Sequence, residues 1–98
     1  MTKLTILPAA RRDIAEAREW YENRSAGLGD DFVARVDAAL LAIQRNPESH
    51  AAVFEDFRRS LVKRFPYAVY YEVLEDRVVV YAVTHGSQDP SKWRKRLS

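Results

Sequence analysis

The residues best suited to chemistry in this chain are one histidine and several cations in its C-terminal part. His85 follows a run of β-branched residues, where a strand end places side chains at a cleft, and histidine titrates near neutral pH. Cleavage of a phosphodiester needs a base, an acid and cations that stabilise the phosphorane. His85 with Arg59, Lys63 and Arg94 supplies part of such a set. The structural alternative, which we favour, is that His85 hydrogen-bonds the tail and fixes the turn at Gly86.

Positive charge is concentrated in the C-terminal part of the sequence. Residues 58–98 hold nine basic and four acidic side chains, whereas residues 1–57 hold seven and ten. This asymmetry predicts a basic surface for an acidic partner, which would be a nucleic acid, a nucleoprotein machine or an acidic protein. The candidate residues for binding a target or partner are Arg58, Arg59, Lys63, Arg64, Tyr70, His85, Trp93, Arg94 and Arg96.

Each of these candidates also has a structural interpretation. Alternation along residues 58–65 divides them between two faces, Arg59, Leu61 and Lys63 on one and Arg58, Ser60, Val62 and Arg64 on the other. Such charges also protect an edge strand from aggregation. Tyrosines in strands can stack on bases, but their spacing here favours packing positions. Trp93 is expected to anchor the terminal helix.

The composition bounds the class of protein. The chain has 98 residues, so we expect a single domain spanning 1–98 with one core. It has no cysteine and two histidines, and we expect no metal and no cofactor. No apolar run reaches the length of a membrane span and no signal peptide is evident, which predicts a cytoplasmic protein without membrane contact.

The first half of the chain predicts a short strand and two amphipathic helices. Residues 4–6 suggest the strand, and Pro8 suits the first turn of a helix. Gly27 is the predicted left-handed stop, Asp30 or Asp31 the predicted cap of the second helix, and Pro47 ends that helix. The helical apolar stripes are Ala10, Ile14, Ala17 and Tyr21, then Phe32, Val36, Ala39, Leu40 and Ile43. Glu16, Glu19 and Glu22 are interpreted as a solvated face paired with Arg12 and Arg18.

The second half predicts strands. After a loop at 48–56, period-two patterns indicate strands at 58–65, between Pro66 and a turn at 74–77, and at 78–83. The last of these is apolar on both faces and is therefore expected to be central. Pro90 can open a short helix. The order β-α-α-β-β-β predicts an α+β fold, in which a helical hairpin packs on a mostly antiparallel four-stranded sheet with a short C-terminal helix.

Two motifs and the order of elements resemble a known family. The first motif is FPY-x-x-x-Y, from Phe65 to Tyr71, and the second is H-x-x-x-DP-x-x-W-x-x-R, from His85 to Arg96. With the GLGDDF segment and the Asn46-Pro47 pair, they cover essentially the whole chain. The sequence resembles the ParE branch of the RelE/ParE toxin superfamily, which includes plasmid stabilization proteins.

The resemblance implies the toxin of a type II toxin–antitoxin pair. Such a toxin is neutralised in a hetero-oligomer by a cognate antitoxin, whose acidic, amphipathic C-terminal segment folds on binding. RelE-like members cleave mRNA on the ribosome, whereas ParE-like members inhibit DNA gyrase by binding and are not nucleases. In the cleaving branch an arginine typically follows the strand-opening tyrosine, but here Ala68 follows Tyr67. The resemblance therefore implies a gyrase inhibitor.

Two alternatives stay open at this point. One is a ribosome-dependent endoribonuclease that uses His85, Lys63, Arg59 and Arg94. The other is a scaffold that binds an antitoxin but is no longer toxic.

Overall fold

The computed structural model describes residues 2–87 and the backbone of 90–97, with side chains again from residue 94 to 97. In chain order the elements are strand β1 (Lys3–Ile6), helix α1 (Pro8–Arg24), helix α2 (Leu28–Arg45), a short 3-10 helix (Pro47–Ser49), strands β2 (Ala52–Phe54), β3 (Phe57–Leu61), β4 (Tyr67–Val73) and β5 (Arg77–His85), and helix α3 (Pro90–Leu97). In these described parts no helix is both long and apolar enough to cross a membrane.

The five strands form one sheet in the order β1-β5-β4-β3-β2. Strand β1 runs parallel to β5, and the other neighbours are antiparallel. The predicted α+β class, with a helical hairpin on a mostly antiparallel sheet and a short C-terminal helix, is confirmed. The predicted strand count of four is wrong, because residues 48–56 contain β2. This strand forms a tight hairpin with β3, made possible by the left-handed backbone of Glu55, at φ 51°.

Strand β3 is shorter than predicted. It ends at Leu61 instead of continuing to residue 65, since the chain turns through Arg64 at φ 71°. The Val62 N–H donates to the Tyr67 carbonyl over 2.9 Å and closes this turn. The alternation predicted along the strand is confirmed where the strand exists, because Arg58 and Arg59 pair with adjacent residues of β4 and so lie on opposite faces.

The sheet has a core on each face. The larger core packs both long helices against one face, through Phe32, Val36 and Ile43 of α2 and strand residues such as Val69 and Val80. This face is called the helix face below. The other, the open face, carries a smaller cluster of Phe57, Ala68, Tyr70, Ala82 and, from α3, Leu97. Strand β5 lies between β1 and β4 and is buried on both sides, as its apolar sequence predicted.

Strand β5 contains a β-bulge close to the start of helix α1. Tyr70 pairs with Ala82 but Tyr71 pairs with Val80, so Tyr81 is an extra residue. The Leu7 N–H donates to the Val80 carbonyl over 3.1 Å, and β1 ends there. Beyond this point β1 no longer pairs with β5, and the Val83 N–H donates to the Asp13 carboxylate instead.

The helical hairpin depends on two glycines. Gly27 has φ 89°, which confirms the predicted left-handed position. Gly29 is buried where α2 meets α1, and a Cβ there would lie 2.6 Å from the carbonyl oxygen of Arg18. The GLGDDF segment is thus a turn followed by a close helix–helix approach.

The N-terminus of α2 is capped differently from the prediction. The helix begins at Leu28, so Asp30 and Asp31 already lie in its first turn and neither is the cap. The carboxylate of Glu22, on α1, instead accepts hydrogen bonds from the N–H groups of Gly27 and Gly29 over 2.9 and 3.0 Å. The interpretation of Glu22 as a solvated residue is therefore wrong.

Candidate partner-binding site

An aspartate of α1 joins three elements near the end of β5. The Asp13 carboxylate accepts a hydrogen bond from the Val83 N–H over 3.0 Å, at the position that the end of β1 leaves open. It also accepts a bidentate pair from the Arg96 guanidinium over 2.5 and 2.7 Å. These hydrogen bonds raise the pKa of Arg96 above its ordinary value. Asp13 therefore clasps α3 to α1 and β5.

Beside this clasp lies a cavity of about 450 Å³ between α1 and the end of β5, called the α1–β5 cavity. Its aromatic wall is a chain of rings, with Tyr21 and Tyr67 centroids 6.0 Å apart and Tyr67 and His85 centroids 5.3 Å apart. Trp20 stands at the rim with half of its surface exposed, covered on one side by the Arg24 guanidinium at 4.2 Å. The residues that line the cavity are Asp13, Glu16, Ala17, Trp20, Tyr21, Tyr67, Val83, Thr84, His85 and Arg96.

His85 is engaged in the turn that follows β5. Its Nδ1 accepts a hydrogen bond from the Ser87 N–H over 3.0 Å and lies 2.7 Å from the Ser87 hydroxyl. The next residue, Gly86, donates its N–H to the Pro66 carbonyl over 2.6 Å. This geometry matches the structural interpretation of His85, which fixes the turn at Gly86.

Several predicted cations are directed away from the open face. Arg58 lies on the helix face, where its guanidinium donates to the carbonyls of Glu48 and His50 over 3.2 and 2.5 Å and holds the 3-10 segment. Lys63 and Arg64 lie in the β3–β4 turn, and Arg64 lines a groove against α2. With Arg96 bonded to Asp13, the expectation that all of these cations form one basic surface is wrong. Charge counting does not register which side of a strand or turn a residue occupies.

A smaller set does share the open face. Arg59 pairs with Tyr70 in the β3–β4 register and is exposed, and Leu61 pairs with Ala68 with 67% of its surface exposed. Arg94, on α3, lies over the ring of Phe54 at 5.3 Å. We call Arg59, Leu61 and Arg94 the open-face patch. It combines two cations with an unusually exposed leucine.

The aromatic candidates are mostly packing residues. Tyr70 is 4% exposed within the open-face core, and Tyr71 is fully buried on the helix face. Burial raises the pKa of Tyr67, with neighbouring Tyr21 and Asp13 adding to the effect, so its phenol stays protonated at neutral pH. The Trp93 side chain lies outside the described residues, and its binding role stays a prediction.

The four residues of the candidate nuclease set are not brought together. His85 lines the α1–β5 cavity on the helix side, whereas Arg59 and Arg94 belong to the open face. Lys63 is exposed in the β3–β4 turn. Within residues 2–87 and 94–97, no three His, Cys, Asp or Glu side chains group as ligands for a metal ion.

The sequence interpretation missed Asp13 and Trp20. Asp13 bonds to groups that lie 70 and 83 positions away in the chain, so no local spacing indicates the clasp. Trp20 could have been found from the sequence. It does not belong to the apolar stripe of α1, which predicts a solvent-exposed tryptophan, and the structure shows it half exposed.

A sequence model of a known protein family matches most of this chain. That model, described as "ParE toxin of type II toxin-antitoxin system, parDE", matches residues 4–90. The chain belongs to the ParE family of type II toxins.

Individual relatives are consistent with this assignment. The chain is 25% identical over 97 residues to Toxin ParE2 of Mycobacterium tuberculosis strains CDC 1551 / Oshkosh and H37Rv, an alignment that covers 98% of this chain and 92% of the relative. A solved chain of the chromosomal ParDE TA system from P. aeruginosa has a TM-score of 0.78. At 13% identity, with 87% of this chain and 96% of that chain covered, it supports the fold.

Proposed function

We propose that this chain acts by binding DNA gyrase and inhibiting it, without catalysis of its own, in the cytoplasm. The observation that carries the proposal is the separation of His85 from Arg59 and Arg94 on the two sides of the sheet. Phosphodiester cleavage requires its acid, base and cations within hydrogen-bond reach of one phosphate. The involvement of His85 Nδ1 with Ser87 and the presence of Ala68 after Tyr67 support the same proposal.

We also propose that a cognate antitoxin neutralises the chain and contacts the open-face patch. Its acidic, amphipathic C-terminal segment would place carboxylates near Arg59 and Arg94 and an apolar side chain on Leu61. Arg59 is exposed and has no ion pair with another described residue. A segment that folds on binding would cover Leu61 and bury its apolar surface, which favours binding.

Two parallel assays test the target. The purified chain is added to gyrase in a supercoiling assay and to ribosomes programmed with mRNA. We expect loss of supercoiling and intact mRNA. Cleaved mRNA with unaffected gyrase would overturn the proposal in favour of the endoribonuclease, and no effect in either assay would indicate the non-toxic scaffold.

A charge reversal tests the antitoxin surface. The partner is the product of a short reading frame neighbouring this gene, which we expect for a toxin–antitoxin pair, and its binding is measured by calorimetry. Arg59→Glu is expected to weaken binding at least about tenfold, or about 1.4 kcal/mol. Lys3→Glu is the matched control, because Lys3 is an exposed cation on β1 at the far edge of the sheet. Equal effects of the two variants would contradict the proposed surface.

A further inference from the structure

The outer face of α2, which points away from the core, is unusually apolar. Its buried residues, among them Phe32, Val36 and Ile43, lie on one side of the helix. At 3.6 residues per turn, the third of the circumference centred on Ala38 is occupied by Asp31, Ala34, Arg35, Ala38, Leu41, Ala42 and Arg45. We call these seven residues the α2 outer face. The exposed Asp30 and Asp37 lie beside this face. The solvent side of a surface helix is normally charged and polar, but four of the eight exposed residues of α2 are alanine or leucine, and Leu41 is 38% exposed.

The two ends of this face carry charges of opposite sign. Asp31 and Arg45 each lie two helical turns from Ala38, one toward each end of the helix. Both are exposed, and neither side chain has an ion pair or hydrogen bond with another residue in the described part of the chain. The neighbouring Asp30, by contrast, is paired with Arg18 over 2.6 Å. The charges at the ends of the α2 outer face are thus available to a second molecule.

We propose that the α2 outer face is a two-fold symmetric interface between two copies of this chain. The two α2 helices pack antiparallel about Ala38, so that a residue before this position meets one equally far after it. Asp31 of each copy then meets Arg45 of the other, and this pairing occurs twice. Ala34 faces Ala42 across the axis. The antiparallel arrangement also places the positive helix N-terminus of one copy beside the negative C-terminus of the other.

The shape of the surface suits a second helix. Alanines at the centre let two helices approach to the short end of the usual interaxial distance, about 8 Å. A groove of about 580 Å³ runs along this helix, lined by Leu28, Asp31, Ala34, Arg35, Ala38, Arg64 and Phe65. In the symmetric pair Leu41 of one copy lies opposite Arg35 of the other, at the edge of this groove. Half-buried Phe65 offers it an apolar contact.

Charge complementarity favours a second copy over other occupants. An acidic antitoxin segment laid on this face would meet Arg35 and Arg45 but also Asp31, so a segment of one charge sign leaves one end of the face unsatisfied. A copy of α2 in reverse orientation instead satisfies the charges at both ends at once. The open-face patch lies on the other side of the sheet, so this interface goes beyond the proposed function and leaves that patch accessible.

Sedimentation equilibrium of the full chain at low ionic strength tests the interface. Because one helix pair buries less than the roughly 1,200 Å² of a standard interface, we expect reversible, salt-sensitive dimers in the micromolar range. Asp31→Arg and Arg45→Asp each place like charges at both ends of the interface. Each is expected to weaken the dimer at least about tenfold, or about 1.4 kcal/mol.

Mixing the two variants gives the decisive measurement. An Asp31→Arg chain and an Arg45→Asp chain are complementary, so the mixture should form heterodimers at least as tightly as the wild type. Asp37→Arg is the matched control, since Asp37 is an exposed aspartate of α2 that lies off the outer face. Ala38→Glu tests the centre of the interface, and circular dichroism of every variant reports whether it folds.

Several outcomes would overturn the proposal. A wild-type chain that stays monomeric up to about 1 mM contradicts it, because that limit corresponds to only about 4 kcal/mol of binding free energy. Folded variants that dimerise like the wild type, a mixture that does not form heterodimers, or an equal effect of Asp37→Arg would also do so. If Asp31→Arg abolishes antitoxin binding while the wild-type chain is monomeric, the face belongs to the antitoxin.

Discussion

Arg58 and Arg59 are adjacent in the chain, but they lie on opposite faces of the sheet and have different environments. On the helix face Arg58 is half-buried and bonds the carbonyls of Glu48 and His50. On the open face Arg59 is exposed beside a small cluster of apolar residues. The comparison shows that neighbouring basic residues in one strand can have two different roles. One stabilises the fold, and the other is available to a partner.

Helix α3 also places one arginine on each side of the sheet. Its Arg96 forms the bidentate pair with Asp13 of α1, whereas Arg94 lies over Phe54 on the open face. One helix thus connects the two sides. The helix face depends on specific hydrogen bonds and a large core, whereas the open face has a smaller core beside the exposed Arg59 and Leu61. Substitutions on the two faces should therefore have separable effects.

The largest expected difference in the free energy of unfolding is between substitution of a core residue on the helix face and substitution of an exposed residue on the open face. Phe32 is fully buried and its ring meets those of Tyr21, Phe65 and Tyr67. Phe32→Ala is expected to lower the free energy of unfolding by about 3–5 kcal/mol. Leu61→Ala, on the open face, should change it by less than about 0.5 kcal/mol and weaken antitoxin binding instead. Urea unfolding and calorimetry measure both, and a strongly destabilising Leu61→Ala would contradict the division.

The next largest effect is expected at the Asp13 clasp. Asp13→Ala leaves the Val83 N–H and the Arg96 guanidinium without their acceptor, which should cost about 2–3 kcal/mol of unfolding free energy. Asp13→Asn keeps an oxygen for the Val83 N–H but loses the charge, so it should cost less. Hydrogen exchange of residues 94–97 should increase in both variants. Unchanged exchange there would show that Leu97, not the clasp, holds α3 on the sheet.

How far the sequence predicts this molecule depends on the range of the interactions. The stripe from Phe32 to Ile43, the left-handed Gly27 and the alternation at Arg58 and Arg59 follow from local spacing, and the structure confirms them. The short strand β2 was missed because three residues carry too little periodicity. The capping of α2 by Glu22 was missed because the donor groups lie across a turn, on the next helix.

The site was less predictable than the fold. Which cations are engaged within the fold depends on pairs such as Asp13 with Arg96, which form only when the two ends of the chain meet. A local pattern does not contain that information. The sequence indicated the basic C-terminal part correctly, but only the folded chain divides it between structural arginines and the open-face patch.

A third experiment compares the adjacent arginines directly. Arg58→Ala removes two hydrogen bonds to carbonyls and should lower the free energy of unfolding by about 1–2 kcal/mol. Arg59→Ala removes an exposed side chain and should leave stability nearly unchanged while weakening antitoxin binding. Thermal unfolding followed by circular dichroism, with calorimetry of binding, separates the two effects. If both variants lose the same stability, the assignment of Arg59 to the partner surface is wrong.

The smallest expected loss of stability is at Glu22, on the helix-face side of the molecule. Glu22 is a half-buried carboxylate on α1 that accepts hydrogen bonds from two N–H groups at the N-terminus of α2. Glu22→Gln keeps the shape and one acceptor oxygen but removes the negative charge near the positive end of the helix, so it should cost about 1 kcal/mol. Glu19→Gln is the matched control, since Glu19 is exposed on the same helix and should have no measurable effect. Because the lost interaction is partly electrostatic, the cost of Glu22→Gln should shrink as salt is added to the unfolding buffer. A cost that is the same for both variants, or that is independent of salt, would mean that the Gly27 turn alone positions α2.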